Sequence, residues 1–148
     1  MAITDDQVAT LRAQLAGQEE EHARRLDQLD TEEAQNNYVT LVTGAFFEAV
    51  DRKFLINGKV AEDTDVINFI AHQREIHPDS ADALDPHAAE MVIFDALGKG
   101  SMESLDGETI FGTQILLLAA LVGEARFSED ELDAFLAKAR AEADKQLR

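Results

Sequence analysis

Apolar residues recur along this chain mainly at spacings of three and four, which is the period of an α-helix lying against a core. The longest such pattern covers residues 38–54, and shorter ones cover residues 66–70 and 132–143. In each pattern the apolar positions share one face, so each predicts an amphipathic helix. Residues 110–122 differ, because they are apolar nearly all round and predict a helix surrounded by others.

No segment of the sequence predicts a β-strand. Sustained alternation of apolar and polar residues is absent, and the Asn-Gly pair of INGK, residues 56–59, joins two helical patterns. The connections around residues 55–63, 78–84 and 98–105 are short enough for neighbouring helices to pack directly. The sequence therefore predicts an all-α fold, a compact bundle of about five or six helices with a long N-terminal helix.

Capping signals mark where several helices begin and end. Side-chain oxygens that can accept the free backbone N–H groups of a first turn occur at Thr4 with Gln7, Asp63 or Thr64, Asp85 before Pro86, and Ser128 with Glu131. Gly98 follows an apolar set and predicts a left-handed C-terminal cap. Gly44 and Gly112 lie inside strongly apolar helices, where we expect glycine to allow a close helix crossing.

The N-terminal segment, residues 1–30, carries a weaker pattern. A four-three spacing typical of a coiled coil, with a polar middle, runs through Val8, Leu11, Leu15, Gln18, His22, Arg25 and Leu29. We therefore separate residues 1–30, a polar amphipathic helix and dimerisation arm, from a helical bundle domain at residues 31–148. The residues predicted to hold the dimer are Val8, Leu11, Leu15 and His22. A single helix over residues 4–54 is the alternative.

Composition narrows the classes of partner. The 148 residues include 30 acidic and 13 basic side chains, for a formal net charge of −17. This charge opposes binding to nucleic acid and to anionic membranes. Solubility is the favoured explanation of the charge, and a basic protein partner is the alternative. The longest aliphatic run, residues 115–122, is too short to span a bilayer. Without cysteine and without a secretory signal at its start, the chain is expected to be cytoplasmic.

Three of the four histidines fall in the stretch HQREIHPDSADALDPHAAE, residues 72–90, which contains His-x-x-Glu twice. Helical bundles that hold paired metals use the opposite order, Glu-x-x-His, so the usual pattern is not met. The favoured interpretation is a helix end and a helix start on either side of a turn. The alternative is a divalent metal site formed by His87, Glu90 and His77; no cofactor is otherwise expected.

The functional expectation follows from what the sequence lacks as well as from what it contains. No nucleotide loop, nucleophile motif or zinc motif is present, so no catalytic residue is assigned. We expect a non-enzymatic protein-interaction or scaffolding domain that forms a homodimer. A metal-binding or small-ligand-binding helical protein is the alternative, and an anionic decoy for a basic or nucleic-acid-binding partner is the third hypothesis.

Overall fold

The computed structural model describes residues 2–147, apart from the side chain of Ser80. Within them lie seven α-helices: α1 (Asp5–Leu15), α2 (Glu19–Asp27), α3 (Glu32–Phe54), α4 (Asp63–Ile76), α5 (Pro86–Ala96), α6 (Gly107–Ala125) and α7 (Glu129–Gln146). A hairpin pairs β1 (Leu55–Ile56) with β2 (Lys59–Val60), and a 3₁₀ turn covers Pro78–Ser80. The all-α prediction is confirmed, with seven helices in place of the predicted five or six.

The predicted long N-terminal helix is two helices, because the chain turns at Gly17. This glycine has φ +77°, a left-handed conformation that other residues adopt at a steric cost. The Gly17 N–H donates to the Gln14 carbonyl at 3.1 Å and the Gln18 N–H donates to the Ala13 carbonyl at 2.9 Å. This pair of bonds is the Schellman motif that ends a helix. A single helix over residues 4–54 is therefore also wrong.

Most predicted helix starts are confirmed. Thr4, Asp85 and Ser128 are the cap residues of α1, α5 and α7, and each accepts a backbone N–H of its first turn. The predicted cap of α4 was wrong by one or two residues. Its cap residue is Glu62, whose N–H donates to the Asp65 carboxylate at 3.3 Å, where Asp63 or Thr64 was expected.

The INGK segment forms a small hairpin, which was not predicted from the sequence. Asn57 and Gly58 have φ +55° and +77°, so both central residues are left-handed, as a type I′ turn requires. Leu55 pairs with Val60 and Ile56 with Lys59. The pattern was too short to predict strands, because two residues on each side cannot show an alternation.

The chain divides into two units, and the first contains residues 2–48 and 122–147. Its largest buried side chains come from α3, α7 and the N-terminal residues, and include Ile3, Leu11, Leu41, Phe46, Phe135 and Leu136. Polar contacts fix α1 against α7: Arg12 lies 2.7 Å from Asp133, and Arg140 lies 2.7 Å from Asp5. The N-terminal helix is therefore part of a packed unit.

Gly44 lies where α3 crosses α7 closely within this first unit. A methyl group at Gly44 would lie 3.2 Å from the Ala139 carbonyl oxygen and 3.6 Å from the Ala143 nitrogen. The Cβ of Ala143 would be 3.8 Å away. The crossing predicted from the glycine is confirmed at this position, since only a small residue lets the two backbones approach this far.

The second unit contains residues 49–121, which include the hairpin, α4, α5 and parts of α3 and α6. Its buried apolar side chains include Phe54, Val66, Ile70, Val92, Ile93, Leu117 and Leu118. The rings of Phe54 and Phe69 meet edge to face, with their centroids 5.7 Å apart. Lys99 donates to the Ala61 carbonyl at 2.8 Å and to Asp63 at 3.0 Å, which ties the loop after α5 to the start of α4.

Candidate interaction surface

The four residues predicted to hold a dimer through the N-terminal segment lie in different environments. Leu11 has no exposed surface, and Val8 and Leu15 are half-buried. On α2, the His22 Nδ1 lies 2.9 Å from the Thr10 carbonyl oxygen, so α2 folds back onto α1. In this conformation Leu11 cannot contact a partner chain, and the dimerisation role of these residues stays a prediction.

The sequence signal that separates α1 from α2 is Gly17, which interrupts the heptad spacing. Glycine at this position favours a helix end, whereas a coiled coil that continued through it would lose helix stability. Oppositely charged side chains of α2 form ion pairs within the helix: Glu21 lies 2.6 Å from Arg24 and 2.7 Å from Arg25. These contacts lower the pKa of the Glu21 carboxyl, with the Arg24 hydrogen bond as the largest cause.

The histidine stretch is a helix end, a turn and a helix start, as favoured from the sequence. Helix α4 ends at Ile76, the 3₁₀ turn follows, and α5 begins at Pro86. His72, Glu75, His77 and His87 are exposed, and Glu90 is half-buried. No three His, Asp or Glu side chains within residues 2–147 are grouped in a way that could hold a metal ion, and the metal site at His77, His87 and Glu90 stays a prediction.

A cavity of about 50 Å³ lies in the second unit beside the end of α4. It is lined by Gln73, Arg74, His77, Ala81, Leu84, Leu116 and Ala120. Pockets for small organic ligands are commonly several hundred Å³, so this volume suits one or two water molecules rather than a metabolite. None of these lining residues is a carboxylate, although the chain as a whole is strongly acidic.

The environment of α6 differs from the one predicted from the sequence. We expected this helix to be surrounded, but it is buried on one side only. Its other side contains exposed Gly112 and Ala119 and half-buried Ile115, Leu116 and Ala120. These five positions share one face of the helix, since they are separated by three, four, seven and eight residues. We call this surface the α6 open face.

The α6 open face is apolar and uncharged. Between Glu108 and Glu124 the sequence has no ionisable side chain, and the positions of the face carry only glycine, alanine, isoleucine and leucine. By length and composition, α6 is also the one helix within residues 2–147 that could cross a membrane, a test that core helices of soluble proteins pass as well. Periodicity could not reveal this face, because both sides of the helix are equally apolar.

Other large apolar side chains are exposed, but more sparsely. Those with about two fifths or more of their surface exposed are Leu26, Val39, Phe47, Leu55, Ile56, Ile67 and Ile76. Phe47 on α3 is 40% exposed. Single exposed apolar residues are common on soluble proteins. These scattered positions are therefore weaker evidence for an interaction surface than a continuous apolar helix face is.

The side chains whose pKa values are shifted have structural roles. Backbone hydrogen bonds from Thr109 and Ser128 lower the pKa of Asp106 and Glu131 at the starts of α6 and α7. Burial raises the pKa of the Tyr38 phenol above its usual range. Catalytic sites usually bring perturbed groups together in a cleft, whereas these groups cap helices or fill a core.

Comparison with known proteins leaves the surface as the main guide to function. No known protein family, curated protein or solved structure matches this chain. The α6 open face and the charge of the remaining surface are therefore the observations that bear on a role.

Proposed function

We propose that this protein is a non-enzymatic protein-interaction domain that scaffolds an assembly by self-association. The observation that carries this proposal is the α6 open face, an exposed and uncharged apolar surface on a chain with a net charge of −17. Continuous apolar patches on soluble proteins usually mark sites of contact with another macromolecule.

The apolar residue types of the α6 open face give an energetic reason to expect a partner there. Removing apolar surface from water contributes about 25 cal/mol per Å². Half-buried Ile115 and Leu116 obtain only part of this contribution within their own unit. A polar residue at exposed Ala119 would leave the buried side of α6 unchanged. The apolar residue at position 119 is therefore not required by the fold of the unit, and a partner would supply a reason for it.

Charge supports a second copy as that partner. Two chains with a net charge of −17 repel one another wherever carboxylates meet. The face of α6 avoids this repulsion, because residues 109–123 carry no charge. A basic protein would gain more from the acidic surfaces elsewhere on the chain than from an uncharged helix face.

The first experiment is sedimentation equilibrium of untagged protein across the micromolar range. We expect the mass of a dimer that is retained or strengthened as salt is raised, because ions do not screen an apolar contact but do screen the repulsion between two chains of charge −17. A monomer at every concentration would remove self-association from the proposal. Metal analysis of the same sample, by mass spectrometry, tests the alternative: near-stoichiometric metal would favour a ligand set including His87 and Glu90.

A further inference from the structure

The cavity beside the end of α4 has a lining whose polar residues are all hydrogen-bond donors. These residues are Gln73, Arg74 and His77, and the rest of the described lining is aliphatic. Gln73 is only 5% exposed and Arg74 is half-buried. Amide, guanidinium and imidazole groups can each donate an N–H. A cavity of this composition suits a small group that accepts hydrogen bonds.

Three parts of the second unit form the walls of this cavity. The donors lie within one turn at the end of α4. The turn that follows supplies Ala81 and Leu84, and the Leu84 N–H donates to the Ala81 carbonyl at 3.2 Å. Leu116 and Ala120, four residues apart on one face of α6, supply the apolar wall. The cavity therefore lies within a single unit of the chain.

Arg74 is the charged group of this lining, and it contacts a neutral acceptor. Its Nε donates to the Ala81 carbonyl at 3.3 Å, whereas Arg12 contacts the Asp133 carboxylate at 2.7 Å. None of the ion pairs formed within residues 2–147 includes Arg74, although the chain has 30 acidic side chains. A guanidinium has five N–H donors, so this contact leaves most of them for another acceptor.

The dipole of α4 accounts for a positive charge at this end of the helix but not for an arginine beside a cavity. Partial negative charge at a helix C-terminus favours any cation, and a lysine would serve equally. A guanidinium differs from an ammonium in its planar fork of N–H groups, which matches the two oxygens of a carboxylate. The residue type at position 74 therefore favours an acceptor of that shape.

The surroundings of Arg74 favour an anion of the size of a carboxylate group. Asp79 and Asp82 of the neighbouring turn are exposed and are not among the described lining residues. Hydrogen bonds to an ionised group are stronger than neutral ones, and the aliphatic wall strengthens them further by lowering the local dielectric. A carboxylate group has three heavy atoms and needs about the space of two water molecules, each of which takes about 30 Å³ in the liquid. The cavity volume of about 50 Å³ agrees with this size.

We infer that this cavity is a binding site for one carboxylate group, which the guanidinium of Arg74 holds between Gln73, His77 and the apolar wall. The carboxylate comes from a small free acid or from the C-terminus of a peptide, since both present the same group. The inference goes beyond the proposed function, because the site belongs to one chain and does not depend on self-association.

The test is a titration with sodium formate, followed by the backbone amide chemical shifts in NMR spectra. Sodium chloride is replaced by formate at constant ionic strength, so that general screening does not change. We expect saturable shifts confined to residues 73–84 and 116–120. Equal shifts with chloride alone would overturn the assignment to a carboxylate, and shifts without saturation would overturn the site.

Two arginine substitutions test the role of Arg74. Arg74→Gln should weaken formate binding roughly tenfold or more, because it removes a charge-assisted hydrogen bond. Arg74→Lys keeps the charge and should lose the preference for formate over chloride, because the planar fork is gone. Arg126→Gln removes the same charge at an exposed arginine before α7 and should bind as wild type does. Equal weakening by Arg74→Gln and Arg126→Gln would overturn the site.

A change of volume supplies a second test that removes no charge. Ala120→Leu adds bulk to the apolar wall and should abolish saturable formate shifts, whereas Ala137→Leu, at an exposed position of α7, should not. Wild-type binding by Ala120→Leu would overturn the cavity as the site. If Arg74→Gln fails to fold, Ala120→Leu decides. Circular dichroism of each variant checks that the helices are retained.

A peptide distinguishes the two sources of the carboxylate. Acetylated tetra-alanine with a free C-terminal carboxylate is compared with the same peptide ending in an amide. Tighter binding of the acid than of formate, with no binding of the amide, supports a peptide C-terminus as the natural ligand. Binding of formate without the peptide supports a small free acid. Equal binding of the acid and the amide would overturn recognition of a carboxylate.

Discussion

Gly44 and Gly112 occupy similar sequence contexts but different environments. Both lie inside apolar helices, and from sequence both predict a close helix crossing. At Gly44, in the first unit, the Ala139 carbonyl oxygen would lie 3.2 Å from an added methyl group. At Gly112, in the second unit, no atom beyond the neighbouring backbone of its own helix lies within 4 Å of that position. The same sequence signal thus marks a contact already made in one unit and an open surface in the other.

The comparison shows how a glycine within a helix can point beyond its own chain. Its cost to helix stability, about 1 kcal/mol relative to alanine, is the same in either helix. At Gly44 this cost is offset by the packing of α3 on α7. At Gly112 the packing that offsets it is the one we propose with a second copy, so the two positions should respond differently to substitution.

The largest effect is expected for Gly44→Leu. The side chain would overlap the α7 backbone near Ala139, and overpacking of this kind costs up to about 3 kcal/mol. Urea unfolding should show a lower midpoint with an unchanged slope. Ala137→Leu, at an exposed position of α7, should change the midpoint little. Equal effects of the two changes would contradict a closed crossing at Gly44.

A smaller loss is expected for Ser128→Ala, which removes the cap of the helix that closes over Gly44. The Ser128 Oγ accepts the Glu131 N–H at 3.1 Å, and loss of such a cap costs about 1 kcal/mol. Ser128→Asp keeps an acceptor at this position and should retain most of the stability, as measured by the same urea titration. A wild-type midpoint for Ser128→Ala would mean that α7 does not depend on this cap.

Alanine at the two glycines tests the comparison directly. In protein dilute enough to be monomeric, Gly112→Ala should raise the free energy of unfolding by about 0.5–1 kcal/mol, because alanine is the better helix former and the site is open. Gly44→Ala should gain less or lose stability, because its methyl group would crowd the Ala139 carbonyl. Equal gains would show that α3 and α7 can separate without cost.

The smallest effect is a loss of stability in acid from the caps of α6 and α7. Asp106 and Glu131 have lowered pKa values in the folded state, so their contribution is present above the ordinary values of 3.8 and 4.5. It should be lost as the pH falls through the lowered folded-state values. Unfolding of Asp106→Asn with Glu131→Gln should vary less with pH below pH 4.5 than wild type.

Local signals determined the helix boundaries. Thr4, Asp85 and Ser128 bond to backbone N–H groups within their own first turns, so their effect depends only on neighbouring residues. The same reasoning would have found the break between α1 and α2, had Gly17 been read as a helix end. The all-α class follows from such signals together with the three-four spacing of apolar residues.

Burial on α6 could not be predicted in this way. A helix that is apolar all round has no sequence feature that says which side the rest of the chain covers, and Leu116 and Leu117 look alike in sequence. Only tertiary packing makes Leu117 fully buried and leaves Leu116 beside open surface. It also decides whether His77, His87 and Glu90 come together, since residues at a helix end and in the next helix meet only if the intervening turn brings them together.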